Sequence, residues 1–369
     1  MRPGRPARRR RRRARQRRSR GWRRWPPSSA RRGASCIWGL AGGSGIEDVR
    51  YLSALINVLS FSKCSLEDKA VTQAFGDEHT RIKLETVEKY LNAYTKALKQ
   101  QSFTLLYVDV CAGSGASIPR ALLTSQDDCG GQQQLLEAPA FAVDTDQIIV
   151  GSAIRALRIT PAFDLYLLND VKKSNVDALR KKIKSEFSHL YDRVTLSQFD
   201  ANKMLFTLCR ETNWRSNRAV VFLDPFGLQI KYETLLELGR TKAVDVWYLV
   251  PVFAMYRQIR GDGLVLEDGG RSVDEALGTT EWRNVVATEE KGQMDLWGVS
   301  APVSKRAVDV AWFEAIAKER LKLAFGGQVV DEVLPLGRNG LHEFSLMFAW
   351  ANPGDKARLA SKLAKAVLK

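Results

Sequence analysis

Four short stretches hold the residues whose types and spacing could do chemistry. The first is Asp109-Val110-Cys111-Ala112-Gly113-Ser114-Gly115, directly after an apolar run that reads as a buried strand. A glycine turn there lets backbone approach a ligand closely, and in open α/β sheets ligands bind outside the carboxyl ends of the strands. Ile118 stands where the dinucleotide fingerprint needs its third glycine, which argues against NAD. The second stretch is Asn169-Asp170, whose carboxylate could accept both hydroxyl hydrogens of a ribose or could cap the following helix. The third, Ser197-Gln198-Phe199-Asp200, again ends a strand in an acid, and Asp200 is equally placed to cap a helix starting near Ala201. The fourth is Asp224-Pro225-Phe226-Gly227, after the strand Ala219 to Leu223. An acid and a backbone carbonyl in such a loop can hold an amino group, and an aromatic ring can stack on a base taken out of its helix. The plainer readings are a strained turn at Asp224-Pro225 that shapes a pocket, and a packing role for Phe226.

The elements that must position these residues alternate. His79 to about Gln100 repeats Ile82, Leu84, Val87, Leu91, Tyr94 and Leu98 at helical spacing. Arg81, Lys83 and Glu85 on that helix could face a ligand, and a solvated helix face is the simpler reading. Strand-like runs follow at Leu105 to Val110, Asp164 to Leu168, Arg193 to Ser197, Ala219 to Leu223 and Val244 to Val250. Helical segments at Gly151 to Ile159, Lys173 to His189, Ala201 to Cys209 and Tyr232 to Arg240 separate most of them. Strands alternating with helices predict a parallel sheet of the α/β class, with helices on both faces. After Val250 the alternation stops. Met255 to Leu323 reads as a mainly helical insertion, followed by strands at Gln328 to Leu334 and Glu343 to Trp350 and a last helix from Pro353 to Leu368. Trp282, Trp297 and Trp312 in the insertion could stack bases, though core packing is the commoner use.

Composition narrows the function classes. The formal charge of +16 lies in the first 33 residues, which hold 16 Arg and no acid, so the remainder carries 41 basic residues against 41 acidic ones. Net charge is therefore no argument for a nucleic-acid partner of the folded part. Residues 1–60 read as a disordered extension, which fits a nucleic-acid-binding arm, an acid-free transit peptide or translated sequence upstream of the true start. Residues 65–369 read as one domain with the insertion at about 255–323. Cys36, Cys64, Cys111, Cys129 and Cys209 form no close pair and no zinc-ligand spacing, which suits a reducing, cytoplasmic setting and no metal. Cys111 beside a buried strand is more often packing than a reactive thiol. Only three histidines occur, which leaves a Ser-His-Asp hydrolase few candidates. No Walker-type phosphate loop is present. The longest apolar stretch, Ala243 to Tyr256, is too short to span a bilayer.

An acid at a strand end followed by Ala-Gly-x-Gly resembles the first motif of S-adenosylmethionine-dependent methyltransferases, and Asp-Pro-Phe-Gly resembles their Asp-Pro-Pro-Tyr loop for exocyclic amines. Here Phe226 takes the place of the second proline and Gly227 that of the ring-bearing residue. From about Asp77 onward the chain resembles the three-Cys-motif partner proteins, TcmP. The resemblance rests on His79-Thr80-Arg81-Ile82-Lys83-Leu84-Glu85 before Tyr90-Leu91, on Tyr107-Val108-Asp109 with Ala112-Gly113-Ser114-Gly115, and on Gly151-Ser152-Ala153-Ile154-Arg155-Ala156-Leu157. Asp224-Pro225-Phe226-Gly227, Leu277-Gly278 and Trp282-Arg283 add to it. The chain departs from that family in its first 60 or so residues and in the long loop Ala116 to Asp146. The resemblance implies a Rossmann-like methyltransferase fold and S-adenosylmethionine as cofactor. The cofactor would lie across Asp109, Ala112, Gly113, Gly115, Asp170 and Asp200, with Asp200 toward the adenine amino group. Asp224, Pro225 and Phe226 would line the acceptor side, with DNA or RNA as the expected substrate. The family's name implies a partner protein carrying three cysteines. A non-catalytic nucleotide- or cofactor-binding subunit of a two-component defence or modification system is the competing expectation.

Overall fold

The computed structural model describes residues 78–117, 149–294 and 300–369. The expected N-terminal extension, most of the loop Ala116 to Asp146, and Cys36, Cys64, Cys129 and Trp297 lie outside these residues.

In chain order the elements are α1 (Glu78–Leu98), β1 (Thr104–Asp109), β2 (Ala116–Ser117), β3 (Ile149–Val150), α2 (Ser152–Leu157), β4 (Leu165–Asn169), α3 (Lys173–Glu186), β5 (Val194–Ser197) and α4 (Ala201–Glu211). They continue with β6 (Asn217–Leu223), α5 (Tyr232–Arg240), β7 (Val244–Val250), α6 (Val252–Tyr256), α7 (Glu267–Leu277), β8 (Ala287–Met294), β9 (Ser300–Arg306), α8 (Val310–Ala324), β10 (Leu334–Leu336), β11 (Phe344–Trp350) and α9 (Arg358–Leu368).

Seven strands form one sheet in the order β10-β11-β7-β6-β1-β4-β5. The five from β7 to β5 run parallel, and β11 and β10 join antiparallel beyond β7. This is a Rossmann-like α/β sheet with one reversed strand, β11, next to the short edge strand β10. From β1 the chain steps outward to β4 and β5, then returns to the other side of β1 for β6 and β7. The reversal opens a crevice at the carboxyl ends of β1 and β6, where such sheets bind ligands.

Both faces of the sheet are covered, which is why the parallel strands are nearly continuous apolar runs. Leu106, Val108, Val221, Leu223, Val246 and Val250 point to one face and pack with α4, α5 and α8. Leu105, Tyr107, Val220, Phe222, Trp247 and Leu249 point to the other and pack with α1, α2 and α9.

Two expectations need correction. The mainly helical insertion does hold α7 and α8, but residues 287–306 are mostly an antiparallel ribbon of β8 with β9. Its first strand, Ala-Thr-Glu-Glu-Lys-Gly-Gln-Met, has no apolar alternation to announce it. The strand expected over Gln328 to Leu334 is reduced to β10 at Leu334–Leu336, with a single bridge from Val329 to Ala349 upstream. Consecutive glycines with positive φ at Gly326 and Gly327 turn the chain just before it. Trp282 is buried with its ring edge-on to Phe313, and its indole N–H donates to Asp274, so it packs. Among the described residues no helix is long and apolar enough to cross a membrane.

Candidate active site

The crevice predicted by the strand reversal is a hollow of about 280 Å³. Its floor is the glycine turn from Cys111 to Gly115, and its far wall is Asp224-Pro225-Phe226-Gly227 at the end of β6. The first turns of α1 close it with His79, Thr80 and Lys83, and Gly151 and Ser152 at the start of α2 complete the floor. Of the residues singled out in the sequence, Ala112, Gly113, Gly115, Asp224, Pro225 and Phe226 meet here. Asp109, Asp170 and Asp200 do not line the hollow.

Backbone geometry explains the glycines. Gly115 has φ +84°, and a Cβ there would come within 3.0 Å of Ile154 Cγ1 and Leu179 Cδ1. Gly151 packs on the same peptide: its N–H donates to the Gly115 carbonyl at 3.1 Å, and a Cβ on Gly151 would lie 3.1 Å from the Gly115 carbonyl carbon. Gly227 has φ +75° with open space around it, so its role is the turn itself. Beside it Phe226, 48 % exposed, stands at the rim.

Lys83 is the residue that sequence reading left on the surface. It is only 7 % exposed, and its ammonium donates to Asp224 Oδ2 at 2.5 Å. The signal was available, because residues 83, 87, 90 and 94 share one helical stripe, and Val87, Tyr90 and Tyr94 are all buried. Off that stripe, Arg81 is exposed and Glu85 partly exposed, 4.0 Å apart in an ion pair.

The three strand-end acids differ in their surroundings. Asp109 is fully buried beneath the turn, where Cys111 N–H and Tyr107 Oη donate to it at 3.2 and 3.3 Å. Burial pushes its carboxyl from 3.8 up to about 7; the Ser152 hydroxyl opposes that rise and the negative Asp224 adds to it. Asp170 accepts from Gly113 N–H at 3.0 Å on one oxygen, and from Lys172 N–H and Asn175 Nδ2 on the other. Three of about four acceptor positions are thus taken, which leaves room for one further donor. Asp200 is exposed and caps α4 through Lys203 N–H at 3.0 Å.

Asn169 binds these ends together. Its Nδ2 donates to the carbonyls of Val110 and Phe199, both at 3.0 Å, while its Oδ1 accepts from Ser197 Oγ and Phe199 N–H. Burial, with Asp224 and Asp109 nearby, drives the Cys111 thiol well above its ordinary range, so it stays protonated and packs. Among the described residues no group of three or more His, Cys, Asp or Glu is placed to share a metal ion.

Comparison with protein-family profiles and with curated protein sequences gives no match. Solved structures are similar at low identity. A glycopeptide N-methyltransferase in complex with sinefungin is 12 % identical over 82 % of this chain and 97 % of its own, with a TM-score of 0.32. An S-adenosylmethionine-dependent methyltransferase from Clostridium acetobutylicum is 10 % identical over 72 % of this chain and 92 % of its own, with a TM-score of 0.29. A protein from Legionella pneumophila is 15 % identical over 68 % of this chain and 94 % of its own, at 0.31. The α/β fold is defined by strand order and connection, independently of these likenesses.

Proposed function

We propose that this chain is an S-adenosylmethionine-dependent methyltransferase of the three-Cys-motif partner type, acting on nucleic acid together with a three-cysteine protein. One observation carries the reading: a glycine turn and an acid-Pro-aromatic loop face each other across a hollow at the strand reversal.

The residues present suit the cofactor. The tight Gly115–Gly151 contact leaves that stretch of the floor without side chains, so the turn's backbone at Ala112, Gly113 and Gly115 can hold an amino-acid portion. Asp170 retains one acceptor position for a ribose hydroxyl, Asp200 is exposed at the next strand end, and Asp109 supports the turn from below. The cofactor, when bound, supplies a methyl group already activated by its sulfonium. What remains for the protein is position. Asp224 would orient the acceptor, Lys83 would fix Asp224, and Phe226, exposed at the rim, would stack on a base.

Calorimetry with S-adenosylhomocysteine tests the first step. Saturable binding is expected, together with its loss in Gly115→Val; no binding at millimolar ligand defeats the proposal. Transfer of labelled methyl to DNA or RNA in the partner's presence tests the second, and Asp224→Asn should lower turnover at least tenfold while leaving cofactor binding unchanged.

The Lys83–Asp224 pair also favours a second reading. A carboxylate already engaged by a buried ammonium has less capacity for a substrate amine. Binding of the cofactor without turnover on any nucleic acid would identify the chain as the non-catalytic subunit.

A further inference from the structure

At the opposite pole of the sheet, where β1, β6 and β7 begin, lies a larger hollow of about 650 Å³. That size falls within the range of small-molecule sites, and its walls are mostly hydrocarbon. Leu98 of α1, Phe103 ahead of β1, and Leu359 and Leu363 of α9 supply them.

The polar groups here are few and asymmetric. Arg218, the second residue of β6, places its guanidinium over the Phe103 ring at 3.8 Å from the centroid. Its Nη1 donates to the carbonyls of Trp214 and Asn217 at 2.8 and 2.6 Å, which fixes the plane. Nε and Nη2 make no hydrogen bond among the described residues, and Asp245 acts on the group through charge rather than a hydrogen bond. A half-buried guanidinium held rigid by its surroundings, with donors left over, is a preorganised anion receptor.

The opposing charge is weak. Asp245 on β7 accepts from the buried Tyr90 hydroxyl at 2.7 Å, and burial pushes its carboxyl up to about 7. The other titratable groups at this pole are the Tyr94 phenol, whose ionisation burial suppresses, and Asp355 on the rim, paired with Arg358 at 3.4 Å. Burial lowers the Arg218 guanidinium from its ordinary value, and the nearby Asp245, itself pushed up toward neutrality by burial, only partly offsets its charge.

We propose that this pole is a second ligand site, distinct from the crevice at β1 and β6, that binds a small amphiphilic anion with its head on Arg218 and its apolar body between α1 and α9. Neither site shares a lining residue with the other. The same elements serve both, however. α1 carries Lys83 and Tyr94, β6 runs from Arg218 up to Asp224, and β7 begins beside Asp245 and ends in Leu249 by the crevice.

Octanoate, octylammonium and 1-octanol separate the contributions of charge sign and of apolar body. Calorimetry on the full chain should show octanoate binding at millimolar concentration or below, and at least tenfold tighter than either of the other two probes. Arg218→Gln should weaken octanoate at least tenfold. Ala360→Trp, which fills the wall without touching the guanidinium, should abolish binding while the protein melts at an unchanged temperature. Lys83→Met should leave octanoate affinity unchanged, because that ammonium belongs to the other hollow. No octanoate binding, tighter binding of octylammonium, indifference to Arg218→Gln, or loss in Lys83→Met would each overturn the proposal. None of these outcomes depends on whether the chain transfers methyl groups.

Discussion

The strand ends on the two sides of β1 begin from the same pattern, an apolar run closed by an acid, and finish differently. At β6 the acid is Asp224, which faces a hollow and meets a lysine from another element. At β4 and β5 the acids bond to nearby backbone: Asp170 holds the glycine turn and the start of α3, and Asp200 caps α4. Chain direction accounts for the contrast. Between β1 and β6 the connections diverge, so nothing fills the space above the strands until α1 crosses it. Between β4 and β5 successive loops pass over the strand ends and take up three acceptor positions of Asp170 and one of Asp200. Position at a strand end therefore makes an acid available, and whether it serves a ligand or the scaffold depends on what crosses above it.

Asp109, buried between the two regions, offers the largest effect. Its carboxyl is near 7 in the folded chain and near 3.8 when unfolded, so the folded state holds the extra proton between those values. Stability should fall as pH rises from about 4 to 7 and level off above, by at most about 4 kcal/mol from this group at 1.36 kcal/mol per unit. Denaturant melts of Asp109→Asn should lack this part of the fall; parallel pH curves for the two proteins would show that Asp109 titrates normally.

Gly115→Val should cost about 3 kcal/mol, since it combines a left-handed backbone with a Cβ pressed on Ile154 and Leu179. Gly227→Ala, on the open side, should cost about 1 kcal/mol; equal losses would erase the distinction between a packed floor and a free wall. Asp170→Ala removes the acceptor for three donors and should destabilise by about 2 kcal/mol in urea titration, with weaker cofactor binding as the turn loosens. Asp200→Ala should cost only about 1 kcal/mol, the worth of a helix cap. A cofactor affinity that fell further in Asp200→Ala than in Asp170→Ala would reverse the assignment of scaffold and ligand roles.

Much of the sheet was legible in the sequence because its central strands are covered on both faces. Val244 to Val250 has nothing but buried positions, and its limits read from sequence coincide with β7. The reversed edge was harder to delimit. β10 depends on pairing with β11 rather than on its own pattern, and the β8–β9 ribbon has a polar first strand that no periodicity could mark. In the site, the glycine turn and Asp224-Pro225-Phe226-Gly227 were visible because special backbone needs special residues. Lys83 was not, since a lysine in a helix ordinarily reads as solvated, and only its shared stripe with Val87 and Tyr90 revealed burial. The pole at Arg218 was invisible for another reason: its walls come from segments more than a hundred residues apart, and no local pattern records that meeting.

The side chain of Asn169 has one further consequence. Every donor and acceptor of a single amide is spent across β1, β4 and β5, so the outer half of the sheet has a keystone rather than a seam. Lineages of this chain could remodel the loop after β6 and the whole stretch from α6 to β9 to suit new acceptors, while the arch on the far side of β1 stayed standing.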